Sequence, residues 1–245
     1  MDKSEAIRIL QETEQGYDRI AEKFSETRKH FWRGLEFIQD YVSGGENVLD
    51  YGCGNGRLLE LFSGKNIDYT GLDISGKMIN LAKGKYPDPL FKFRKITSFD
   101  SLTFPGNYFN AVYSIAVFHH LPSVSLRQKV AKELYRVTAP GGFIVITVWN
   151  LWPASTRGDC SSKRGWQKKY LKNILINWAN KIIFKSSLDW NDCWIDFKDN
   201  KGNIFNRYHH AFRKNELRKL FLAAGFKEEK TAILNGRNII FSGKK

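Results

Sequence analysis

Cysteine, methionine and proline are scarce in this chain, at 3, 2 and 6 of 245 residues. Cys53, Cys160 and Cys193 stand far apart, so they form neither a metal quartet nor a disulfide framework. The expectation is a reduced, cytoplasmic protein with no metal site. No apolar run approaches the ~18 residues of a membrane span. The N-terminus, Met1-Asp2-Lys3-Ser4-Glu5, lacks the basic-then-apolar layout of a signal peptide. Acidic residues are also few, 25 against 39 Lys and Arg, which leaves a formal charge of +14. That deficit is local. Residues 1–150 carry 19 basic and 17 acidic side chains, and residues 151–245 carry 20 and 8. A one-sided basic field favours a polyanion through counterion release and steering, although a lysine-rich surface also serves solubility alone. With 42% hydrophobic and 14% aromatic residues, disorder is excluded and a full core is available.

What is present centres on Val48-Leu49-Asp50-Tyr51-Gly52-Cys53-Gly54-Asn55-Gly56. An apolar strand end runs into three glycines at alternate positions, and a helix-forming run follows from Arg57 to Phe62. Glycines let the backbone turn tightly and approach a ligand, whose polar groups then meet the free N–H groups of the helix start. Tyr69-Thr70-Gly71-Leu72-Asp73 is a second short strand ending in a carboxylate, 17 residues after Gly56. An acid at that place accepts both hydroxyls of a ribose. The alternative is an ordinary glycine turn with a strand-end helix cap.

Helical spacing over 3–23 brings Ile7, Leu10, Glu14, Tyr17, Ile20 and Ala21 together. After a break at Phe24 to Arg28, Phe31, Leu35, Ile38 and Val42 make one face of a second helix, which Ser43-Gly44-Gly45 stops. Strands are expected at 47–51, 68–72, 91–96, 111–115 and 143–149, with helices at 56–63, 76–84 and 123–137. Ala139-Pro140-Gly141-Gly142 is the turn into the last of these strands. The loop Ala116 to Pro122 leaves the carboxyl end of a buried strand, where ligands sit in parallel sheets. In the following insertion, Trp166, Tyr170, Leu171, Ile174, Leu175, Trp178, Ile182 and Ile183 share one helical face, and lysines decorate the rest. That helix covers the site, binds nucleic acid or lies on an anionic membrane; the sequence leaves all three open. A helix at 214–224 ends at Gly225, and strands at 226–234 and 237–243 form a hairpin across Asn235-Gly236. The chain reads as one domain in four regions: a helical cap (1–45), a cofactor-binding core (46–150), a basic insertion (151–205) and a closing helix and hairpin (206–245).

The glycine turn and Asp73 together resemble the cofactor site of class I S-adenosylmethionine-dependent methyltransferases. That resemblance implies an α/β, Rossmann-like sheet of seven mostly parallel strands with a closing antiparallel hairpin, N-terminal helices and a helical insertion. It implies S-adenosylmethionine as cofactor, contacted by Asp50, Gly52, Cys53, Gly54, Gly56, Asp73, Ile74, Ser98, Phe99 and Ala116. Ser98 stands where related enzymes usually have an aspartate for the adenine amino group, and Asp100 or backbone groups are the available compensation.

Further stretches are similar to the tRNA wobble-uridine carboxymethyl methyltransferases. They are Tyr17-Asp18-Arg19-Ile20-Ala21, Phe24-Ser25-Glu26-Thr27-Arg28, Ser114 to His120, Val148-Trp149, and Arg207-Tyr208-His209-His210-Ala211-Phe212 with Glu216-Leu217. The resemblance implies Arg28, His119, His120, Trp149 and Arg207 around a uridine whose carboxylate is esterified, tRNA as partner, and in some members a small zinc-binding activator subunit. Before Arg207 this chain reads Ile195-Asp196-Phe197, where the family tends to have Val-Pro-Trp, and the basic insertion has no match there. A carboxylate acceptor is already ionised at neutral pH and needs no general base, whereas a hydroxyl or amine would call on His119 or His120. A small-molecule O- or N-methyltransferase with a helical lid is the competing enzyme reading. A cofactor-binding RNA module without activity is the third, against which the complete glycine turn and Asp73 stand.

Overall fold

The computed structural model describes residues 1–28, 30–32, 34–153, 164–198 and 202–245, and residues 164–167 by backbone only. Cys160 and the side chain of Trp166 lie outside the described residues. The fold is a seven-stranded sheet of order β3-β2-β1-β4-β5-β9-β8. Its strands are β1 (Glu46–Tyr51), β2 (Ile67–Asp73), β3 (Phe91–Lys95), β4 (Phe109–Ile115), β5 (Thr138–Trp149), β8 (Lys227–Leu234) and β9 (Asn238–Lys244). The first five pair in parallel, and β9 joins β5 antiparallel, with β8 antiparallel beyond it. This is the expected class I methyltransferase sheet with its closing hairpin. Asn235 and Gly236 both take positive φ (49° and 65°), the primed turn that matches strand twist.

Alternation along the strands fills both faces. Leu49, Val112, Ile144 and Ile146 pack with Val130 and Leu134 of α3 (Val124–Val137) and Leu217 and Phe221 of α5 (Lys214–Ala224). Val48, Tyr69, Tyr113 and Val145 meet Ile38, Leu58, Phe62 and Ile79 on the other side, the last from α2 (Gly76–Lys85).

Four sequence expectations need correction. Helix α1 runs Lys3–Thr27 and buries Ala6, Ile9, Thr13, Gly16, Ile20 and Ala21, leaving Ile7 45% exposed. The stripe is set by Gly16, where any Cβ would fall inside the Phe205 ring, so the helix turns its glycine toward β7 (Ile204–His210). The second helix and the 56–63 helix are both 3-10 turns, Glu36–Tyr41 and Arg57–Phe62. Thr138 already pairs with Phe109, so Ala139 to Gly142 bulge within β5 rather than precede it; Gly141 at φ 75° absorbs the bend. Helix α4 (Arg164–Ile182) turns Ile174, Asn177, Trp178 and Tyr170 inward, while Leu175, Ile182 and Ile183 are about half exposed or more. Polar residues take the inner stripe because they meet backbone carbonyls: Asn173 Nδ2 donates to Trp194 O (2.8 Å) and Asn177 Nδ2 to Asp189 O (2.8 Å).

A separate antiparallel pair, β6 (Asp192–Lys198) in the insertion and β7 running out of it, was not assigned from sequence. Helix α4 covers β6 through Ile174, Cys193 and Ile195, and α1 covers β7 through Ile9 and Tyr208. The pair is fastened to the main body at His210. Its Nδ1 sits 2.7 Å from Asp192 Oδ1 and its Nε2 2.6 Å from Glu216 Oε1, in the first turn of α5. Burial and Arg127 disfavour the imidazolium, but the two carboxylates prevail and raise the His210 pKa. No helix among the described residues is long and apolar enough to cross a membrane.

A raised histidine pKa stabilises the fold fully below the unfolded value of about 6.5, and the contribution is lost as pH rises through the folded value. His210→Ala is therefore expected to cost about 3 kcal/mol at pH 6, with the deficit narrowing toward pH 9. Thermal unfolding of both proteins across that pH range is the check, and a deficit that grows with pH would contradict the assignment.

Candidate active site

Strands β1, β2 and β4 end at one rim, and the chain leaves each tip with chemistry that its local sequence dictates. After β1, Gly52, Gly54 and Gly56 take φ of 82°, 56° and 75°, all in the left-handed region. A Cβ on Gly52 would lie 2.2 Å from Val117 Cγ2, whereas one on Gly54 would meet nothing within 4 Å. Gly52 is thus required by packing and Gly54 by backbone conformation, and the space before Gly54 belongs to a cavity. Asp73, at the tip of β2, accepts from Gly54 N through Oδ2 (2.8 Å) and from Ser75 N through Oδ1 (2.9 Å). At the tip of β4, Ala116 is held at φ 62° while its N–H donates to Thr147 O (2.9 Å).

The cavity encloses about 1050 Å³ between atoms, mouth included. Its floor is Asp50 to Asn55, Asp73, Ile74, Phe99, Ala116 and Val117, and its roof includes Tyr17 and Phe24 of α1, Arg28 at the end of that helix, and Trp32. His120, Trp149 and Arg207 close the far wall. Three expected residues lie apart from this lining. Gly56 backs onto Phe93 and Tyr86, and Ser98 lies in an adjoining groove, where its hydroxyl donates to Asp100 Oδ1 (3.2 Å). His119 is fully buried behind Trp149.

Charge in this cavity is not internally matched. Arg207 is 4% exposed, sandwiched between the Phe197 ring (4.8 Å) and the Trp149 ring (5.5 Å). Its Nε has no hydrogen-bond partner, and no acidic side chain pairs with it among the described residues. Arg28 lies over the Phe24 ring at 4.1 Å, and burial together with Arg207 lowers its pKa. His120 is spoken for at both nitrogens, by Tyr17 OH (2.7 Å) and Tyr208 O (2.9 Å). Burial beside Arg207 pulls its pKa down to about 3, so the ring is neutral. Its neighbours His119 and His209 stack at 5.0 Å and are likewise held neutral by burial. Nitrogens of these three histidines lie within 4.8 Å of one another, but His120 has none to spare for a metal. Asp50 is buried, accepts from Tyr69 OH (2.6 Å), and has its pKa pushed up to about 7, chiefly by desolvation.

Residues 49–146 match the family described as "Methyltransferase domain". The chain is 35% identical over 150 residues to a tRNA (carboxymethyluridine(34)-5-O)-methyltransferase of Arabidopsis thaliana, covering 61% of this chain and 34% of that protein. It is 29% identical to the Schizosaccharomyces pombe protein of the same name over 86% of each. The chain thus spans about a third of the plant relative and most of the fission-yeast one. Among solved structures, an S-adenosylmethionine-dependent methyltransferase of Methanosarcina mazei superposes with a TM-score of 0.66 at 21% identity, over 88% of this chain and 98% of that one. A Haloferax volcanii methyltransferase in complex with the Trm112 activator gives 0.62 at 16% identity, over 95% and 96%. Residues 49–146 carry a methyltransferase domain, and the fold is the one that S-adenosylmethionine-dependent methyltransferases share.

The methyltransferase residues fit that cofactor on structural grounds. The open face of Gly54 leaves room beside the turn, and Asp73 retains lone pairs after its two backbone bonds. Asp50 presents a carboxylate for an ammonium at the same turn. Sequence reasoning missed Tyr17, Trp32, Asn55, Arg57 and Phe197 as site residues. Asn55 and Arg57 stood in plain view within and just after the glycine turn; Tyr17, Trp32 and Phe197 reach the site only by tertiary packing. Cofactor affinity is expected to fall by up to about tenfold per pH unit below pH 7, because only ionised Asp50 pairs with an ammonium. Asp50→Asn should bind more weakly and without that pH dependence; equilibrium dialysis at pH 5.5 to 8 tests it.

Proposed function

We propose that this methyltransferase esterifies the carboxylate of a 5-carboxymethyl-type wobble uridine in tRNA. The observation that carries the reading is Arg207, a buried cation at the cavity wall with no acidic partner among the described residues. A desolvated guanidinium without a counter-charge is costly on its own and favours an incoming anion, which its planar fork fits when the anion is a carboxylate. Arg28 adds a second cation beside it.

When bound, S-adenosylmethionine supplies an electrophilic methyl group carried on a sulfonium. The chain's own residues then have to orient an acceptor and exclude water. Arg28 and Arg207 hold the carboxylate. Trp149, braced by His209 at 5.2 Å and His119 at 5.3 Å, offers an aromatic wall for a base. His120, neutral and bonded at both nitrogens, positions Tyr17 and β7 rather than removing a proton. The three histidines at this wall are all held neutral by burial, which suits an acceptor that is ionised already. Gly52, Cys53, Gly54, Gly56, Ile74, Ala116 and Asp50 shape the turn side of the cofactor site. Asp73 receives the ribose, and Phe99, with Ser98 in the adjoining groove, borders the adenine end.

The names of the plant and fission-yeast relatives support the same acceptor. The basic C-terminal region supports a polyanion, and Lys168, Lys169, Lys172 and Lys181 decorate α4, with Lys185 just beyond its end. The reading brings a cytoplasmic location with it, and the Haloferax complex supports an activator subunit of the same kind.

Methyl transfer from labelled cofactor to bulk tRNA, and separately to a small-metabolite extract, tests the proposal. Salt-sensitive label in tRNA that mild alkali releases is the expected result; label confined to metabolites overturns it. Arg207→Ala is expected to lower kcat/KM for tRNA about thirtyfold or more while cofactor binding changes by less than about twofold. Unchanged turnover would remove Arg207 from the site.

A further inference from the structure

Arg57 has no part in the proposed acceptor chemistry, yet it lines the same cavity. It is the first residue after Gly56 and is 7% exposed, with its guanidinium 3.3 Å from the centre of the Trp32 ring. It forms no hydrogen bond or ion pair with an acidic side chain among the described residues. Burial, reinforced by Arg28, pulls its pKa down to about 9, and the charges of Asp50 and Glu60 only partly compensate. Asp50 shows the converse problem, a buried carboxylate whose ionisation is opposed by desolvation. These two groups feel each other's charge without bonding to each other, and both border the open side of the glycine turn. Opposite buried charges that are near but unjoined form a receptor for a zwitterion. Arg28 feels Arg207 and is itself felt by Arg57, so it lies between the two, and Arg57, directly after Gly56, is the cation on the turn side.

We infer that Arg57, stacked on Trp32, receives the α-carboxylate of the cofactor's amino-acid end, opposite Asp50 and its ammonium partner. The stack on Trp32 holds the guanidinium at the cavity wall without neutralising it, and no hydrogen bond to an acidic side chain among the described residues occupies its donors. The cavity is thereby divided, with one cation for the cofactor's carboxylate and two for the acceptor. The inference concerns only the cofactor, so it stands or falls separately from the identity of the acceptor.

The test compares binding of S-adenosylmethionine with its decarboxylated analogue by isothermal titration calorimetry, in the full chain without tRNA. Wild type is expected to prefer the carboxylated ligand by about tenfold to a hundredfold, as a charge-assisted pair would give. In Arg57→Met that preference should vanish, while the analogue binds as in wild type; its retained binding also shows that the variant is folded. Should Arg57→Met fail to fold, Arg57→Gln, which keeps an amide donor without charge, is expected to lose most of the preference. A preference unchanged in the variant that folds would overturn the inference. Equal weakening of both ligands in a folded variant would overturn it too, leaving Arg57 a purely structural stack on Trp32.

Discussion

The carboxylate of Asp73 is the constraint on which the rest of the site depends. By accepting from Gly54 and Ser75 it fastens the turn after β1 to the turn after β2, two loops that parallel pairing already places side by side. Ser75 passes the tie onward, since its hydroxyl donates to Asp18 Oδ1 (2.6 Å) and so draws α1 across the rim. A single carboxylate thereby organises the glycine turn, the tip of β2 and the roof of the cavity. Its raised pKa reflects burial that the backbone donors of Ser75, Gly54 and Ile74 only partly offset.

From that rim the cavity is built as a set of unmet charges between aromatic walls. Arg57 lies on Trp32, Arg28 on Phe24, and Arg207 between Trp149 and Phe197. Aromatic faces hold each guanidinium without neutralising it, which keeps the positive charge available to a ligand. The histidines nearby do the opposite work. Desolvation and the arginine field keep His119, His120 and His209 uncharged, so they add shape and hydrogen bonding without further repulsion.

The β6–β7 pair brings Arg207 to this cavity, and its hold on the body is electrostatic as well as apolar. His210 lies between Asp192 and Glu216, so the same strand that carries the cavity-lining Arg207 is anchored three residues later by a charged bridge. Gly16 completes the arrangement from α1, because its missing side chain lets Phe205 seat against the helix.

The sequence by itself determined the sheet, the glycine turn, Asp73 and the closing hairpin. These are local patterns: alternation, glycines at alternate places, an acid at a strand tip, and Asn-Gly in a primed turn. It also marked Arg28, Trp149 and Arg207 as candidates through a resemblance of short motifs. Only the tertiary structure decided which side chains share the cavity. Arg57 and Trp32 meet across a gap in sequence, and Phe197 reaches Arg207 through a strand pair with no periodic signature strong enough to assign. The division between His119 and His120 was equally closed to sequence. Adjacent residues of one type differ there only because Trp149 covers one ring while Tyr17 and Tyr208 bond the other. The inward stripe of α4 is set partly by carbonyls awaiting Asn173 and Asn177, so hydrophobic spacing alone placed Tyr170, Ile174 and Trp178 rightly but added the exposed Leu175, Ile182 and Ile183. Local pattern fixes backbone path; charge, burial and pairing between distant segments are decided when the chain closes on itself.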